Sequence, residues 1–234
     1  MAESIESLLA SFGELERSTH AERQQAMDNL LSEVTRLQAT IQRNRAGDFN
    51  IFELLQLDAG DERLHTQILG WLLDETESHG QGNSFLKAFL GAARIPIDER
   101  DLNSYVVHTE FAQSEAIVDI AIYKVASFVV YVENKVYAAE GFDQPSREQR
   151  DMHRLGQALS VPTERCRAVW LSPAGEIPPD ANPAFWRPVA YQAICREFEA
   201  VLSPSLPARV GLVVADWLRW TRDLQEEEPD VRAE

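Results

Sequence analysis

Two apolar runs in the middle of the chain carry charged residues where a buried strand should have none. The runs are Ile117–Tyr123 and Phe128–Lys135, and each has the length and the β-branched and aromatic composition of a strand. The first contains Asp119, and the second ends with Glu133 and Lys135. A buried carboxylate or ammonium is costly unless it has a partner or binds a metal. The two runs therefore predict a functional site as well as a sheet.

The pairing of the two runs follows from the turn between them. The turn Lys124–Ser127 is short enough for a β-hairpin, and a turn centred near Ala126 opposes residues whose numbers add up to 252. In that register Asp119 lies opposite Glu133, with Cβ atoms about 4.5–5.5 Å apart. Lys135 shares the face of Glu133 because side chains alternate along a strand. We therefore expect two carboxylates that share one divalent cation, beside an ammonium suited to a phosphate.

Composition is typical of a soluble globular protein and limits the partners of the chain. Its 234 residues suffice for one domain with a sizeable core plus an extension. No apolar run is long enough to span a membrane and no secretory signal opens the sequence, so we expect a cytoplasmic protein without a membrane partner. The 22 Lys and Arg against 38 Asp and Glu give a net charge of −16. Because nucleic-acid binders are usually basic, any contact with nucleic acid must be local.

We predict two parts of the chain: an N-terminal helical extension over residues 1–45 and the main domain over residues 46–234. The apolar residues of the extension recur at helical spacing. They either pack on the body of the protein or pair with a second copy of the chain. We favour packing on the body because the heptads are too few for a coiled coil.

The main domain predicts a mixed α/β sheet flanked by helices, because the order is helix, three strands, helix, strand and then C-terminal helices. The predicted elements are helices over 50–55, 63–73, 84–90, 147–159, 191–202 and 208–224, strands over 105–111, 117–123, 128–135 and 167–171, and a proline-rich loop over 177–188. The helix over 147–159 begins at a Ser146 cap.

These residues, taken together, resemble the PD-(D/E)XK nuclease superfamily. Asp119 is followed by Glu133-Asn134-Lys135 at a strand end and then by a helix that carries Gln149. The order of elements matches the common α-β-β-β-α-β core of that superfamily, a restriction-endonuclease-like fold. The resemblance covers roughly residues 45–225 and extends to a bacterial branch, which is similar in the segments Asn50–Leu54, Glu62–Asp74, Ser78–Gly80 and Phe85–Leu90.

The resemblance implies a metal-dependent nuclease. By position, Asp119 and Glu133 are ligands of Mg²⁺ or Mn²⁺, and the backbone carbonyl of Asn134 is a third ligand. Hard oxygen ligands suit Mg²⁺. Lys135 orients the attacking water or helps to deprotonate it, and it offsets charge on the scissile phosphate.

Two further residues have a place in the resemblance. Glu62 is similar to the acid of the upstream helix that helps to hold a metal or its waters, and Gln149 is similar to a helical glutamine of many members. Glu110, on the preceding strand, is an alternative to Glu62 as the third acid, and the sequence leaves both open.

Each residue also has a purely structural interpretation. Asp119 can be a strand-end residue capped by backbone donors. Glu133 and Lys135 can form a solvent-facing ion pair on an edge strand, which contributes only about 0–1 kcal/mol. Glu62 can be a first-turn acid of a helix, and Gln149 can be an exposed helix residue.

The functional interpretation that follows is hydrolysis of DNA in preference to RNA, and the resemblance implies a role in bacterial defence or genome maintenance. The competing interpretation is a catalytically silent nuclease fold that acts as an acidic protein-binding or regulatory module. The net charge of −16 favours the module, because an acidic surface repels phosphate. The intact trio of two acids and a lysine favours the nuclease. The N-terminal helices offer a contact for a protein partner or a homodimer.

Overall fold

The computed structural model describes residues 20–45, 49–136, 143–203, 205–222 and 224. In this part the chain forms seven α-helices and one five-stranded sheet. The chain divides into two units, residues 1–49 and 50–234. We predict a domain boundary between residues 45 and 46. Residues 46–48, directly after it, lie outside the described residues. No described helix is long and apolar enough to cross a membrane.

The first unit contains one described helix, α1 (His20–Arg45). This helix falls within the extension that we predict over residues 1–45, whereas residues 1–19 lie outside the described residues. Three apolar side chains at helical spacing on α1, Met27, Leu31 and Val34, are solvent-exposed. Whether these side chains pack on the body of the protein or against a second copy of the chain stays a prediction.

The second unit contains the sheet and its helices. Its order is α2 (Ile51–Leu54), α3 (Glu62–Leu73), α4 (Ser84–Ala92), β1 (Val106–Ala112), β2 (Ile117–Lys124), β3 (Phe128–Asn134), α5 (Gln144–Ala158), β4 (Cys166–Ser172), β5 (Trp186–Ala190), α6 (Tyr191–Val201) and α7 (Ala208–Arg222). The strands lie in sequence order, with β1, β2 and β3 antiparallel and β3, β4 and β5 parallel. The predicted mixed α/β sheet is confirmed.

The register of the β2–β3 hairpin is the one that the turn predicts. The paired residues run from Lys124 opposite Phe128 to Ile120 opposite Val132, so their numbers add up to 252. Asp119 and Glu133 lie one position beyond the last pair. The register therefore places both carboxylates at the same end of the hairpin.

The regular alternation of side chains breaks at Asp119. Its neighbour Val118 packs on one side of the sheet with Val129 and Tyr131, whereas Ile120 packs on the other side. In a regular strand these two neighbours share a face. On β1, Thr109 pairs with Ile120 and Phe111 pairs with Val118, so Glu110 lies between the two pairs, as Asp119 does on β2. Glu110 has a positive φ of 49°. The hairpin is therefore locally twisted where the acid stands.

Two hydrophobic layers enclose the sheet. Helices α3, α4, α6 and α7 cover one face, and α5 covers the other. All seven residues of β3 are buried, because this strand lies at the centre of the sheet. The interpretation of Glu133 as a solvent-facing residue of an edge strand is therefore wrong.

Two details of the predicted elements are also wrong. The range 177–188, predicted as a loop, ends in β5, which contains Pro188. Proline is tolerated there because β5 is an edge strand with one free side. Helix α5 begins at Gln144 and not after Ser146, because Pro145 fits the first turn of a helix. Asp143 precedes the helix in a left-handed conformation and makes no capping hydrogen bond with its side chain.

Candidate active site

Glu133 and Lys135 meet at the carboxyl end of the central strand. The Nζ atom of Lys135 lies 2.8 Å from Oε1 of Glu133 and 3.9 Å from Oε2 of Glu62. The Glu133 side chain is only 4% exposed, and those of Lys135 and Glu62 are 17% and 22% exposed. An ion pair so shielded from water is screened less than one on the surface.

Asp119 joins this pair through the backbone of β3. The N–H of Asn134 donates a hydrogen bond of 2.7 Å to Oδ2 of Asp119. Because Asn134 stands between Glu133 and Lys135 in the chain, this bond brings Asp119 to the same strand end. The structure therefore places the predicted trio of Asp119, Glu133 and Lys135 together.

The side chain of Asn134 connects three elements. Its amide nitrogen donates to the backbone oxygen of Glu62 at 3.0 Å and to Oγ1 of Thr66 at 3.2 Å, both on α3. Its amide oxygen accepts a 2.5 Å hydrogen bond from the hydroxyl of Tyr191, the first residue of α6. The side chain is therefore committed to the protein interior, and only the backbone carbonyl of Asn134 is left for the ligand role that we predict.

The two candidate third acids lie in different places. Glu62 begins α3, and its Oε1 accepts a 2.9 Å hydrogen bond from the N–H of Val136, just after Lys135. Glu110 pairs with Arg63 at 3.1 Å, and its side chain is 57% exposed. The structure thus brings Glu62 to the trio and turns Glu110 towards an exposed ion pair.

Helix α5 contributes an amide and a carboxyl group that the sequence analysis missed. The Nε2 atom of Gln144 lies 2.5 Å from Oε1 of Glu133 and 2.8 Å from Oε1 of Glu148. Gln149, the predicted helical glutamine, makes no side-chain hydrogen bond within the described part of the chain. Gln144 reaches the site because α5 begins earlier than predicted. Gln149 points elsewhere because it is rotated by about 100° from Glu148.

A sequence signal for Glu148 exists. Glu148 lies four, seven and eleven residues before Met152, Leu155 and Leu159, which form the apolar face of α5 towards the sheet. An acid in an apolar stripe is as informative as an acid in an apolar strand. Glu148 could therefore have been predicted as a buried acid from the sequence, as Glu133 was.

Three carboxyl groups of the site, those of Asp119, Glu133 and Glu148, have a pKa above that of an ordinary carboxyl. Burial, followed by repulsion from Glu133, raises the pKa of Asp119 to about 7, although the N–H of Asn134 acts in the opposite direction. Burial also raises the pKa of Glu133 against the effects of Lys135 and Gln144. Burial and the Glu133 carboxylate raise the pKa of Glu148 to about 9. The protein by itself therefore disfavours the ionised form of these three carboxyls.

The pKa of Lys135 is also raised, and for a lysine this favours the charged form. Burial lowers the pKa of Lys135, but the carboxylates of Glu133 and Glu62 outweigh that effect, and the net shift is upward. The ammonium is therefore charged at neutral pH. One cation faces several acids at this site.

The donor chemistry of the site fits a hard divalent cation. The Oε2 atoms of Glu133 and Glu148 are buried and have no hydrogen-bond partner among the described residues. Oxygen ligands suit Mg²⁺, which binds through one or two carboxylates and keeps several waters. No three His, Cys, Asp or Glu side chains of the described residues are grouped as a complete metal site. Asp119 and Glu133 thus fit a cation that retains much of its hydration.

A second set of contacts fixes α5 against the β1–β2 turn. Asp151 of α5 accepts hydrogen bonds of 2.9 Å from the hydroxyl of Ser114 and from the N–H groups of Glu115 and Ala116. Arg150 and Arg154 both form ion pairs with Glu115. These arginines are therefore partly engaged within the protein, and the contacts hold in place the helix that carries Gln144 and Glu148.

Comparison with known proteins identifies one matching family. The family described as the PD-(D/E)XK nuclease superfamily matches residues 49–204, about two thirds of the chain. The match includes Glu62, Asp119, Glu133 and Lys135, and it ends after α6. Neither the comparison with curated proteins nor that with solved structures finds a significant match. The chain belongs to the PD-(D/E)XK nuclease superfamily.

Proposed function

We propose that the protein is a Mg²⁺-dependent nuclease that hydrolyses phosphodiester bonds of DNA. The observation that carries the proposal is the convergence of two acids and one ammonium on a single strand end. Lys135 lies 2.8 Å from Glu133, and the residue between them binds Asp119 through its N–H. Membership of a nuclease superfamily supports this reading of the trio.

Asp119 and Glu133 are the proposed ligands of the cation, with the backbone carbonyl of Asn134 as a third. A bound Mg²⁺ or Mn²⁺ supplies polarisation of the phosphoryl oxygen and a lowered pKa of water. The side chain of Gln144 holds Glu133 in its rotamer through the 2.5 Å contact with Oε1. Hydrogen-bonded partners of this kind orient ligands and tune their affinity.

Lys135 is the proposed charge partner of the scissile phosphate. Because its pKa is raised in the metal-free protein, its side chain is charged at neutral pH, which suits it to orient the attacking water. Its ammonium offsets charge that develops on the phosphoryl oxygens. Glu62 positions Lys135 from the opposite side, at 3.9 Å.

The preference for DNA over RNA and a role in bacterial defence or genome maintenance rest on the resemblance to the bacterial branch. A cytoplasmic location rests on the sequence without a predicted membrane span. Comparing plasmid and RNA cleavage under identical conditions tests the substrate preference.

The central test combines calorimetry and cleavage. Mn²⁺ is titrated into the wild-type protein, Glu133→Gln and Glu110→Gln, and plasmid and RNA cleavage are measured with the same preparations. We expect Glu133→Gln to lose both cation binding and cleavage. Glu110→Gln, which alters an exposed ion pair, is expected to keep both. Cleavage that persists in purified Glu133→Gln would contradict the proposed mechanism.

A second candidate function is an acidic protein-binding or regulatory module on a nuclease fold. The net charge of −16 favours it, because the surface repels nucleic acid. The module predicts no Mn²⁺ binding by the wild-type protein, no cleavage, and capture of a basic protein partner. A calorimetric Mn²⁺ site that disappears in Glu133→Gln would exclude it.

A further inference from the structure

Three aromatic side chains of β1 and β2 contact one another, and we call them the aromatic platform: His108, Phe111 and Tyr123. Phe111 and Tyr123 pack against the core on the sheet face that α5 covers. The rings of His108 and Phe111 stack with centroids 5.4 Å apart and an interplanar angle of 17°. The ring of Tyr123 lies 5.9 Å from His108 and 6.1 Å from Phe111. His108 is exposed, and the other two residues are half-buried.

The aromatic platform adjoins the proposed catalytic site. In the β1–β2 ladder, Phe111 is opposite Val118 and His108 is opposite Ala121, so the two pairs flank Asp119. The Phe111 ring also contacts Tyr131, two residues before Glu133, with centroids 6.4 Å apart. A strand advances about 3.3 Å per residue, so a nucleotide on the platform is within one or two nucleotide lengths of the site.

From this arrangement we propose that the aromatic platform binds an unpaired nucleobase of the substrate strand, which makes single-stranded or locally unwound nucleic acid the preferred substrate. The inference rests on the proposed nuclease function. Aromatic rings bind bases by stacking, and this contact tolerates any base because every base has a π face. In a duplex these faces are covered by neighbouring bases, so the strand must be unpaired at the platform.

The surroundings of the platform supply contacts for phosphate groups. Strand β1 continues from Phe111 into the turn that contains Glu115. There Arg150 and Arg154 approach Glu115, and their side chains stay 47% and 50% exposed. Arg150 also contacts Asp143, and Arg154 also contacts Asp151 and Ser114. A guanidinium has five N–H donors, so each arginine has donors beyond those that these contacts use, and these can reach a phosphate. The platform and the two arginines together match a base and its flanking backbone.

A purely structural role is the alternative, because aromatic pairs across neighbouring strands stabilise a sheet. If the platform stacks with a nucleobase, binding of a DNA strand requires a base at that position. If the platform only stabilises the sheet, binding does not depend on that base. The probe is therefore a short single-stranded oligodeoxynucleotide that carries one 2-aminopurine, whose fluorescence is quenched on stacking. The controls are the same strand annealed to its complement and the same strand with an abasic site in place of 2-aminopurine.

Binding is measured by the fluorescence anisotropy of a dye attached to the end of every strand, the abasic one included, with the full chain in EDTA, so that cleavage does not interfere. The ring-deleting variants are His108→Ala and Phe111→Leu, and Phe111→Leu keeps apolar volume next to the core. The matched control is Phe185→Leu, which removes a half-buried ring on the same sheet face beside β5. Thermal unfolding of every variant shows whether the sheet is intact.

We expect the wild-type protein to bind the single strand more tightly than the duplex or the abasic strand, and to quench 2-aminopurine. Each ring deletion should weaken single-strand binding about tenfold and relieve the quenching, whereas Phe185→Leu should not. If folded His108→Ala and Phe111→Leu bind the strand as the wild type does, or if the duplex binds better, the inference is overturned.

Cleavage measured with Mg²⁺ on the same preparations separates the two proposals. Cleavage without ring-dependent binding rejects the platform and leaves the nuclease function standing. Ring-dependent binding without cleavage supports the platform and rejects hydrolysis. A protein that neither binds the strand nor cleaves it contradicts both.

Discussion

Glu133 is a carboxylate buried at the centre of a sheet, and its neighbours compensate it only in part. Lys135 and Gln144 both contact its Oε1, while its Oε2 has no partner among the described residues. A buried acid that is held but not neutralised suits a site that gains a cation. The sequence alone predicts a buried acid here, since Glu133 stands in an apolar run.

At the residue scale, Glu62 and Glu110 give a matched pair of substitutions. We expect Glu62→Gln to lower cleavage about 10- to 100-fold, because it weakens the hold on Lys135 and on the N–H of Val136. Glu110→Gln should leave cleavage unchanged, since Glu110 contacts exposed Arg63. Steady-state cleavage rates with thermal unfolding as a folding check decide the matter. Equal losses in both variants would show that Glu110 completes the site.

The raised pKa values also make the stability of the metal-free protein depend on pH. Between an ordinary carboxyl pKa near 4.5 and the pKa of about 9 of Glu148, the folded chain keeps a proton that the unfolded chain has released. The free energy of unfolding should therefore fall as the pH rises through this window, and level off above it. The pKa of about 7 of Asp119 adds to the same trend at the acidic end.

Glu148→Gln tests this dependence. The amide keeps the shape of the side chain and removes the group that must keep a proton in the folded chain at a pH where the unfolded chain releases it. We therefore expect the free energy of unfolding at pH 8 to rise by about 1–3 kcal/mol. The decline between pH 5 and pH 9 should become shallower. Urea unfolding in EDTA at several pH values measures both effects, with exposed Glu53→Gln as the control. A pH profile parallel to that of the wild type would disprove the assignment to Glu148.

At the scale of elements, Asn134 connects β3 to α3 and α6. Its side chain bonds Glu62 and Thr66 on α3 and Tyr191 on α6, while its own N–H binds Asp119. The elements that meet here come from distant parts of the sequence. The geometry of the site therefore depends on how the helices pack on the sheet.

Two buried tyrosines allow this dependence to be measured. Tyr191→Phe removes the hydrogen bond to Asn134, and Tyr105→Phe removes a 2.9 Å hydrogen bond to the backbone oxygen of Leu73, away from the trio. Both should lower the free energy of unfolding by about 0.5–1.5 kcal/mol. Only Tyr191→Phe should lower the cleavage rate, by about tenfold. Equal cleavage rates in two equally destabilised variants would show that Tyr191 is purely structural.

Element boundaries show where sequence patterns lose their power. The strands β2 and β3 are continuous apolar runs, so their extents were predictable. Helix α5 begins with polar residues and β5 contains Pro188, and local propensity disfavours both assignments. Packing overrides propensity in each case, because Glu148 and Met152 face the sheet and Trp186 is fully buried.

At the scale of the whole molecule, the hydrophobic core lies in the second unit. The buried core residues of both sheet faces fall between Phe52 and Leu224. A fragment of residues 49–234 therefore contains both core clusters of the sheet and every residue of the proposed site. The fragment begins where the family match begins.

We expect this fragment to fold on its own and to keep Mn²⁺ binding and cleavage. Its unfolding should be cooperative, with a free energy of about 5–15 kcal/mol as for other single domains. Calorimetric titration and cleavage of the fragment beside the full chain provide the measurement. A folded fragment that binds Mn²⁺ but no longer cleaves would assign the N-terminal extension a role in engaging the substrate or a partner.

The sequence by itself determined the hairpin, its register and the trio of Asp119, Glu133 and Lys135. These features are local, since a short turn and the two-residue period of a strand suffice to derive them. Only the tertiary structure shows that Glu62 and not Glu110 lies beside Lys135, and that Gln144, which the sequence did not indicate, contacts Glu133. The bond from Val136 to Glu62 spans 74 residues, and that from Tyr191 to Asn134 spans 57. Contacts across such separations depend on how helices pack on the sheet, and no local period of the sequence encodes that packing.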